Sequence, residues 1–327
     1  MQRHGLLSVA IFICSLFHVS IACAQAWKPS RNVEIIVGSA AGGGADVTGR
    51  VMQRLFRDKA LVEVPASVVN KTGGGSALSY VYMNQHPADA HYLALSLQPM
   101  ITAPLMIPGQ ISYTDVTPVA HLLNEYVGFA VRPDSPLKSG RDVIERLKKD
   151  PASLSIGLST ALAGSNHLAA VLAFKAAGVD IKRLRIVVVS GASEAITGVM
   201  GGHVDVVASS AAGMLPFLQS GKLRGIAVSG PRRLGDAFAA VPTWKEQGVD
   251  SVYANWRGVV GPKAMTAAQL AYWDGVFGRL SQLPEWREEL VRLLQDPAYL
   301  NSRDTQRFLE AQHNELRTVL LDLGIAK

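Results

Sequence analysis

Repeatedly along this chain, a short apolar run ends in a turn rich in glycine and serine, and a helical pattern follows at once. Residues 33–37 are apolar apart from Glu34. They lead into Gly38-Ser39-Ala40-Ala41-Gly42-Gly43-Gly44-Ala45-Asp46, after which Val47, Val51, Leu55 and Ala60 recur at helical spacing. A second run, 62–69, leads into Asn70-Lys71-Thr72-Gly73-Gly74-Gly75-Ser76 and a helix over 77–85. A third, 154–158, leads into Ser159-Thr160-Ala161-Leu162-Ala163-Gly164-Ser165-Asn166-His167, where a helix over 165–178 begins. Strands this apolar belong inside a sheet, and their alternation with helices predicts an α/β fold with largely parallel sheets. Strands at 92–97, 127–131, 185–189, 204–208, 223–228 and 256–260 extend the alternation, as do helices at 139–148, 194–200 and 214–219. Ser139 is placed to cap its helix and Pro151 to follow its end. The tail over 266–323 reads as helical. Two successive strand–helix series predict two lobes, each a mostly parallel sheet flanked by helices. One comprises 25–125 with 250–327 and the other 126–249, joined near 124–128.

Composition narrows the function classes. At 327 residues, 48% hydrophobic and 18% charged, the chain is an ordinary globular protein and not a disordered or fibrous one. Its 32 basic and 26 acidic residues leave +6, and no dense Lys/Arg run concentrates the excess. A diffuse charge of this kind mildly attracts anions and does not by itself argue for nucleic acid. The five tryptophans are scattered and form no stacking platform for bases or sugars.

The first residues read as an export signal. Arg3 is followed by 5–24, which contain no Asp, Glu, Lys or Arg and end Ala22-Cys23-Ala24. A basic start, an apolar middle and a small-x-small end predict a secretory signal over 1–24, cut before Gln25. Twenty apolar residues also suffice for an uncleaved anchor. The serines at 8, 15 and 20 and His18 dilute the segment and favour cleavage, and Ser20 argues against Cys23 as a lipidated residue. Cys14 and Cys23 are the only cysteines, so a cleaved chain has no disulfide and no thiolate chemistry.

The loops carry the candidate chemistry. Consecutive glycines bring the backbone close to a ligand, and the helix that follows presents free N–H groups and a partial positive charge, which together seat an anion. On this ground Ser39, Ala40, Ala41, Gly42, Gly43, Gly44, Ala45 and Asp46 are candidate ligand contacts, with Asp46 either facing the ligand or capping its own helix. Gly73, Gly74, Gly75 and Ser76 would face the same crevice from the neighbouring strand, where open α/β sheets bind ligands. Ser159, Thr160, Gly164 and Ser165 offer hydroxyls and a helix start, and His167 either lines the cleft or packs on the first turn. A fourth turn, Ser190-Gly191-Ala192-Ser193, adds Ser190, Gly191 and Ser193. Arg257 is the side-chain cation to watch, as an anion partner or as half of a salt bridge.

Other chemistries fit less well. Val47 stands where a dinucleotide fingerprint needs its third glycine, and the second strand ends in Asn70 instead of an acid for a ribose. Gly157-Leu158-Ser159-Thr160-Ala161 and Gly191-Ala192-Ser193-Glu194-Ala195 both lack the last glycine of a nucleophile elbow. His203 and Asp205 have no third ligand beside them, so a metal site is not expected. No cofactor is implied. The rival readings are an exported α/β enzyme of hydrolase type and a ligand sensor for a signalling partner.

The order of short motifs resembles that of the periplasmic solute-binding receptors of tripartite tricarboxylate transporters, the Bug-type receptors. It runs through Ala41-Gly42-Gly43-Gly44-Ala45-Asp46, Val69-Asn70-Lys71-Thr72-Gly73-Gly74-Gly75 and Asp115-Val116-Thr117-Pro118-Val119-Ala120. It continues in Gly164-Ser165-Asn166-His167-Leu168-Ala169, Gly201-Gly202-His203-Val204-Asp205-Val206 and Asn255-Trp256-Arg257-Gly258-Val259. The resemblance implies a two-lobed venus-flytrap receptor without catalysis. Its ligand would be a small organic acid, a di- or tricarboxylate or an aromatic carboxylate, held between loops of both lobes. It would deliver that acid in the periplasm to the permease subunits of a tripartite tricarboxylate-type transporter. Gly38-Ser39 departs from the family, where an aromatic residue commonly follows the first strand, and so does Val189-Ser190-Gly191. Ala161-Leu162-Ala163 is more apolar than usual. These departures bear on the ligand more than on the fold.

Overall fold

The computed structural model describes residues 27–189 and 191–326; the expected signal over 1–24 and Ser190 lie outside them. Eleven strands and ten α-helices alternate through most of the described chain. The first half is β1 (Val33–Val37), α1 (Gly44–Asp58), β2 (Ala66–Asn70), α2 (Ala77–Asn84), β3 (Tyr92–Leu97), α3 (Pro99–Met106), β4 (Thr117–Glu125), β5 (Val127–Val131) and α4 (Gly140–Lys149). There follow β6 (Ser155–Leu158), α5 (Ser165–Ala176), β7 (Arg185–Val188), α6 (Ala192–Met200), β8 (Val206–Ser210), α7 (Ala211–Gln219) and β9 (Arg224–Val228). The chain ends with β10 (Asn255–Gly261), α8 (Ala267–Gln282), α9 (Pro284–Arg292), β11 (Gln295–Leu300) and α10 (Ser302–Asp322).

The strands form two sheets, ordered β11-β4-β10-β3-β1-β2 and β7-β6-β8-β5-β9. The expected parallel pairing is found where strand, turn and helix alternate: β1 pairs with β2 and β3, and β6 with β7 and β8. Antiparallel strands then complete each sheet, β10, β4 and β11 in the first and β5 with β9 in the second. Both sheets are therefore mixed. The antiparallel pairs arise where the chain crosses between sheets: only Tyr126 separates β4 from β5, and the return runs through 229–254.

The helical tail is interrupted. Pro284 opens α9, Leu294 takes a positive φ of 54°, and Pro297 sits in β11 at the sheet edge, where a missing N–H costs no ladder bond. Ser139 caps α4 as expected, in a reciprocal box with Asp142.

Phe56, Trp273 and Phe277 pack under the first sheet, and Phe129, Phe174 and Trp244 under the second. α10 touches both. Its Phe308 lies 4.5 Å from the His121 ring and 5.5 Å from Trp256, and its Asp322 pairs with Lys175 of α5. Leu316, Val319 and Leu320 belong to one apolar cluster with Leu168 and Val171 of α5.

Candidate functional site

Two loops, one from each sheet, are built alike. In the first, Gly43 N–H donates to Ala40 O (3.0 Å) and Gly42 takes φ 80°. In the second, Gly164 N–H donates to Ala161 O (2.9 Å) and Ala163 takes φ 60°. A side chain on Gly164 would put its Cβ 2.8 Å from both Ala161 O and the Thr160 hydroxyl, so the turn closes only around glycine. Four residues after each left-handed position, a side chain accepts that residue's N–H. Asp46 Oδ2 takes Gly42 N–H at 2.8 Å, and His167 Nδ1 takes Ala163 N–H at 3.0 Å.

This settles what those two side chains are committed to. Asp46 also accepts from Arg50 (2.8 Å) and Asn70 (2.9 Å), and these donors, Arg50 foremost, pull its carboxyl down to about 2. His167 is buried, and burial lowers its pKa to about 4, so it stays neutral at neutral pH. Both stabilise the turns from behind. Asn70 also donates to Ser39 O at 2.9 Å, which ties the first loop to the end of β2.

Each turn feeds a helix whose first N–H groups are left free. The caps of α1, α5 and α6 are Gly43, Gly164 and Gly191, which have no side chain to accept them; Ser210 at the start of α7 makes no side-chain capping bond either, but the first N–H of α7, Ala211, donates to Tyr126 O (3.0 Å). All four helix starts open into one cavity of about 250 Å³, through Gly44, Ser165 with Asn166, Ala192 and Ser210. Its remaining walls are Ser159, Thr160 and Ser209 from the second sheet's loops, Glu125, Tyr126 and Val127 at the crossing, and Asn255 and Arg257 from β10. Each helix start carries roughly half a positive charge, so the walls suit an anion.

Hydroxyls and one ion pair complete the walls. Asn166 Nδ2 donates to Ser159 Oγ (2.6 Å), which lies 2.8 Å from Ser209 Oγ. The Thr160 hydroxyl is buried with no partner among the described residues. Arg257 is buried, with Nη1 donating to Thr48 Oγ1 (3.2 Å) and Nη2 to Glu125 Oε2 (2.6 Å). Glu125 accepts in addition from Ser210 Oγ (2.5 Å) and Asn255 Nδ2 (3.2 Å). Among the described residues Glu125 is the one acid in the wall, and Arg257 pairs with it. Below the second turn, Gln98 Nε2 donates to Ala163 O (3.1 Å), a link between the two halves.

Of the residues singled out from the sequence, Gly44, Ser159, Thr160, Ser165 and Arg257 meet in the cavity wall. Ser39, Ala40, Ala41, Gly42, Gly43 and Ala45 belong to the first turn and lie outside the wall, as do Gly164 and Gly191 at the helix caps. Gly73, Gly74, Gly75 and Ser76 form a run of four positive φ angles after β2. Ser76 packs onto Gly38, where a Cβ would come within 2.3 Å of it. Ser193 faces a different hollow, shared with Val187, Thr197 and His203. Asp205 spends its carboxylate on Ser155 N–H and Oγ, joining β8 to β6, which accounts for its place beside His203.

The sequence reading missed Glu125, Tyr126, Val127, Asn166, Ala192, Ser209, Ser210 and Asn255 as wall residues. A signal existed for two of them: Ser209-Ser210 is a fifth small polar stretch where an apolar strand passes into a helix. Glu125 was legible only as a lone charge at the end of an apolar strand.

Comparison with known proteins places this arrangement. A Cupriavidus necator protein, the "UPF0065 protein in gbd 5'region", is 29% identical over 337 residues, spanning 100% of this chain and 99% of its own. The structure of a TctC solute-binding protein from Polaromonas superposes with a TM-score of 0.75 at 25% identity, covering 90% of this chain and 99% of that one. An R. palustris protein solved with adipate gives 0.76 at 22% identity, covering 91% and 99%. Residues 50–325, from within α1 to beyond α10, match the pattern of one family throughout. Those residues hold every strand from β2 onward, the second turn and all of the cavity wall except Gly44, and on that match the chain belongs to the tripartite tricarboxylate transporter receptor family.

Proposed function

We propose that this chain is an exported, periplasmic receptor that captures a small carboxylate between its two lobes, 25–125 with 250–327 and 126–249. It then delivers that acid to the permease of a tripartite tricarboxylate-type transporter and performs no chemistry on it. The observation that carries this reading is the convergence of three helix starts capped by glycine, those of α1, α5 and α6, on one cavity. A carboxylate surrenders strong hydration on entering a cleft and needs several donors in return. The amides at Gly44, Ser165 and Ala192 and the hydroxyls of Ser159, Thr160 and Ser165 supply them. Hydrogen bonds to a charged group are worth about 1.5–3 kcal/mol each, and micromolar capture needs about 8 kcal/mol, so four or five suffice.

The fold is shared with a protein solved with adipate, which supports a carboxylate as the class. Because the walls come from both sheets, a bound acid touches both halves and favours the closed arrangement over an open one. Loops 39–43 and 73–76 are proposed to rim the entrance.

Thermal denaturation with a panel of mono-, di- and tricarboxylates and aromatic acids tests the reading. One or more acids should raise the melting temperature and be recovered unchanged after prolonged incubation. Conversion of the acid, or a melting temperature indifferent to the entire panel, sinks it.

A further inference from the structure

We propose that Glu125 selects the far end of the ligand, admitting a neutral hydrogen-bond donor such as a hydroxyl and excluding a second carboxylate. The inference rests on the receptor reading, since one carboxylate must first be seated at the helix starts.

Glu125 lies in the cavity wall and is buried. It receives Arg257 Nη2 at 2.6 Å, Ser210 Oγ at 2.5 Å and Asn255 Nδ2 at 3.2 Å. A carboxylate has about four acceptor positions, so one remains for a ligand. The protein's own acid thus engages Arg257 and the cap residue of α7. The starts of α1, α5 and α6 and the hydroxyls of Ser159 and Thr160 stay available. The cavity is consequently polarised, with donors along most of its wall and carboxylate oxygens at the Glu125 end.

A second ligand carboxylate at that end would meet Glu125 with no uncommitted cation beside it, a like-charge contact. An ammonium would satisfy Glu125 but stand against Arg257. A hydroxyl donates to the remaining acceptor position and repels neither. The cavity of about 250 Å³ is smaller than drug-sized pockets, which start near about 300 Å³, so the class is a small hydroxymonocarboxylate.

Calorimetric titration of the full chain with pentanoate, 5-hydroxypentanoate, 5-aminopentanoate and glutarate tests this, and the matching four- and six-carbon sets keep chain length from deciding. The hydroxy acid should bind tightest at the best length. The diacid should bind at least about tenfold more weakly, a modest demand for one like-charge contact near a protein surface. In Glu125→Gln, Arg257 is released and the diacid should gain about tenfold or more relative to the hydroxy acid. In Glu125→Gln with Arg257→Gln, neutrality returns and that gain should vanish. A diacid that equals or exceeds the hydroxy acid in the unaltered protein overturns the proposal, whether or not the variants fold. So does an unchanged ranking in a folded Glu125→Gln. In both cases carboxylates bind and the receptor reading stands. Binding of no carboxylate of any kind removes that reading and this one together.

Discussion

The Cβ that alanine would add at Gly44 falls 2.6 Å from Nη2 of Arg257, closer than two non-bonded atoms approach. The first residue of α1 is therefore bare because a guanidinium lies across it, and that guanidinium is held by Glu125 and Thr48. Gly44→Ala should leave the backbone unchanged, since Gly44 is helical and alanine is the better helix former. The guanidinium must instead swing out of its pair with Glu125. The expected result is a folded protein whose carboxylate affinity falls about tenfold, equivalent to about 1.4 kcal/mol, measured by calorimetry. Unchanged affinity would mean that Arg257 has room to spare. Arg257→Ala should be harsher, because removing one member of a buried pair strands the other and costs about 3–5 kcal/mol in chemical denaturation. Gly44 and Arg257 were legible in the sequence, one as part of a glycine run and the other as a lone cation. Glu125 was not, because its importance comes from pairing across 132 positions of chain.

Strand, turn and helix were legible because each is local. Apolar runs mark β1 and β6, glycines mark their ends, and periodic apolar residues mark α1 and α5. The equivalence of the two turns was not legible, because an acid does in one what an imidazole does in the other. Asp46 and His167 share no chemistry except the ability to accept one backbone N–H. For the same reason β11 was read as helix: its strand character comes from pairing with β4, not from its own residues, which include Pro297. The claim that helix starts bind the ligand has its own test in α6. Ala192 is its first residue, where proline is tolerated because that N–H has no partner inside the helix. Ala192→Pro removes one amide donor from the cavity wall at the cost of two added ring carbons, and Gly191 before it is already extended (φ 176°, ψ 172°) as proline requires. Affinity should drop by the value of one hydrogen bond to a charged group, about 1.5–3 kcal/mol, with the melting temperature of the free protein unchanged. A loss of melting temperature without loss of affinity would show that the start of α6 supports the fold and does not meet the ligand.

The two halves are joined by the single-residue crossing at Tyr126 and the return through 229–254, and they also meet at α10, which packs on both, and at the Gln98–Ala163 hydrogen bond. Two histidines stand at or near these junctions. His121 lies on β4 beneath Phe308 of α10, and His167 braces the turn whose Ala163 carbonyl receives Gln98 from the other half. Burial lowers each from an ordinary 6.5 to about 4. The unfolded chain therefore binds protons at these sites that the folded chain refuses. Their contribution to stability is complete above pH 6.5 and is lost progressively as the pH falls toward about 4, worth about 3 kcal/mol for each histidine at the end of that span. Asp46 acts next. Its carboxyl is held at about 2 against an ordinary 3.8, so its contribution persists above pH 3.8 and disappears between there and about 2. The protein should thus show a plateau of melting temperature above neutrality, a first decline from pH 6.5 to 4, and a second below it. His167→Asn retains an acceptor for Ala163 N–H without a titrating ring, and it should remove part of the first decline and leave the second. Melting temperatures measured from pH 8 to 3 on both proteins decide the matter. A flat profile between pH 7 and 4.5 would mean that both rings take up protons in the folded state, which their burial opposes.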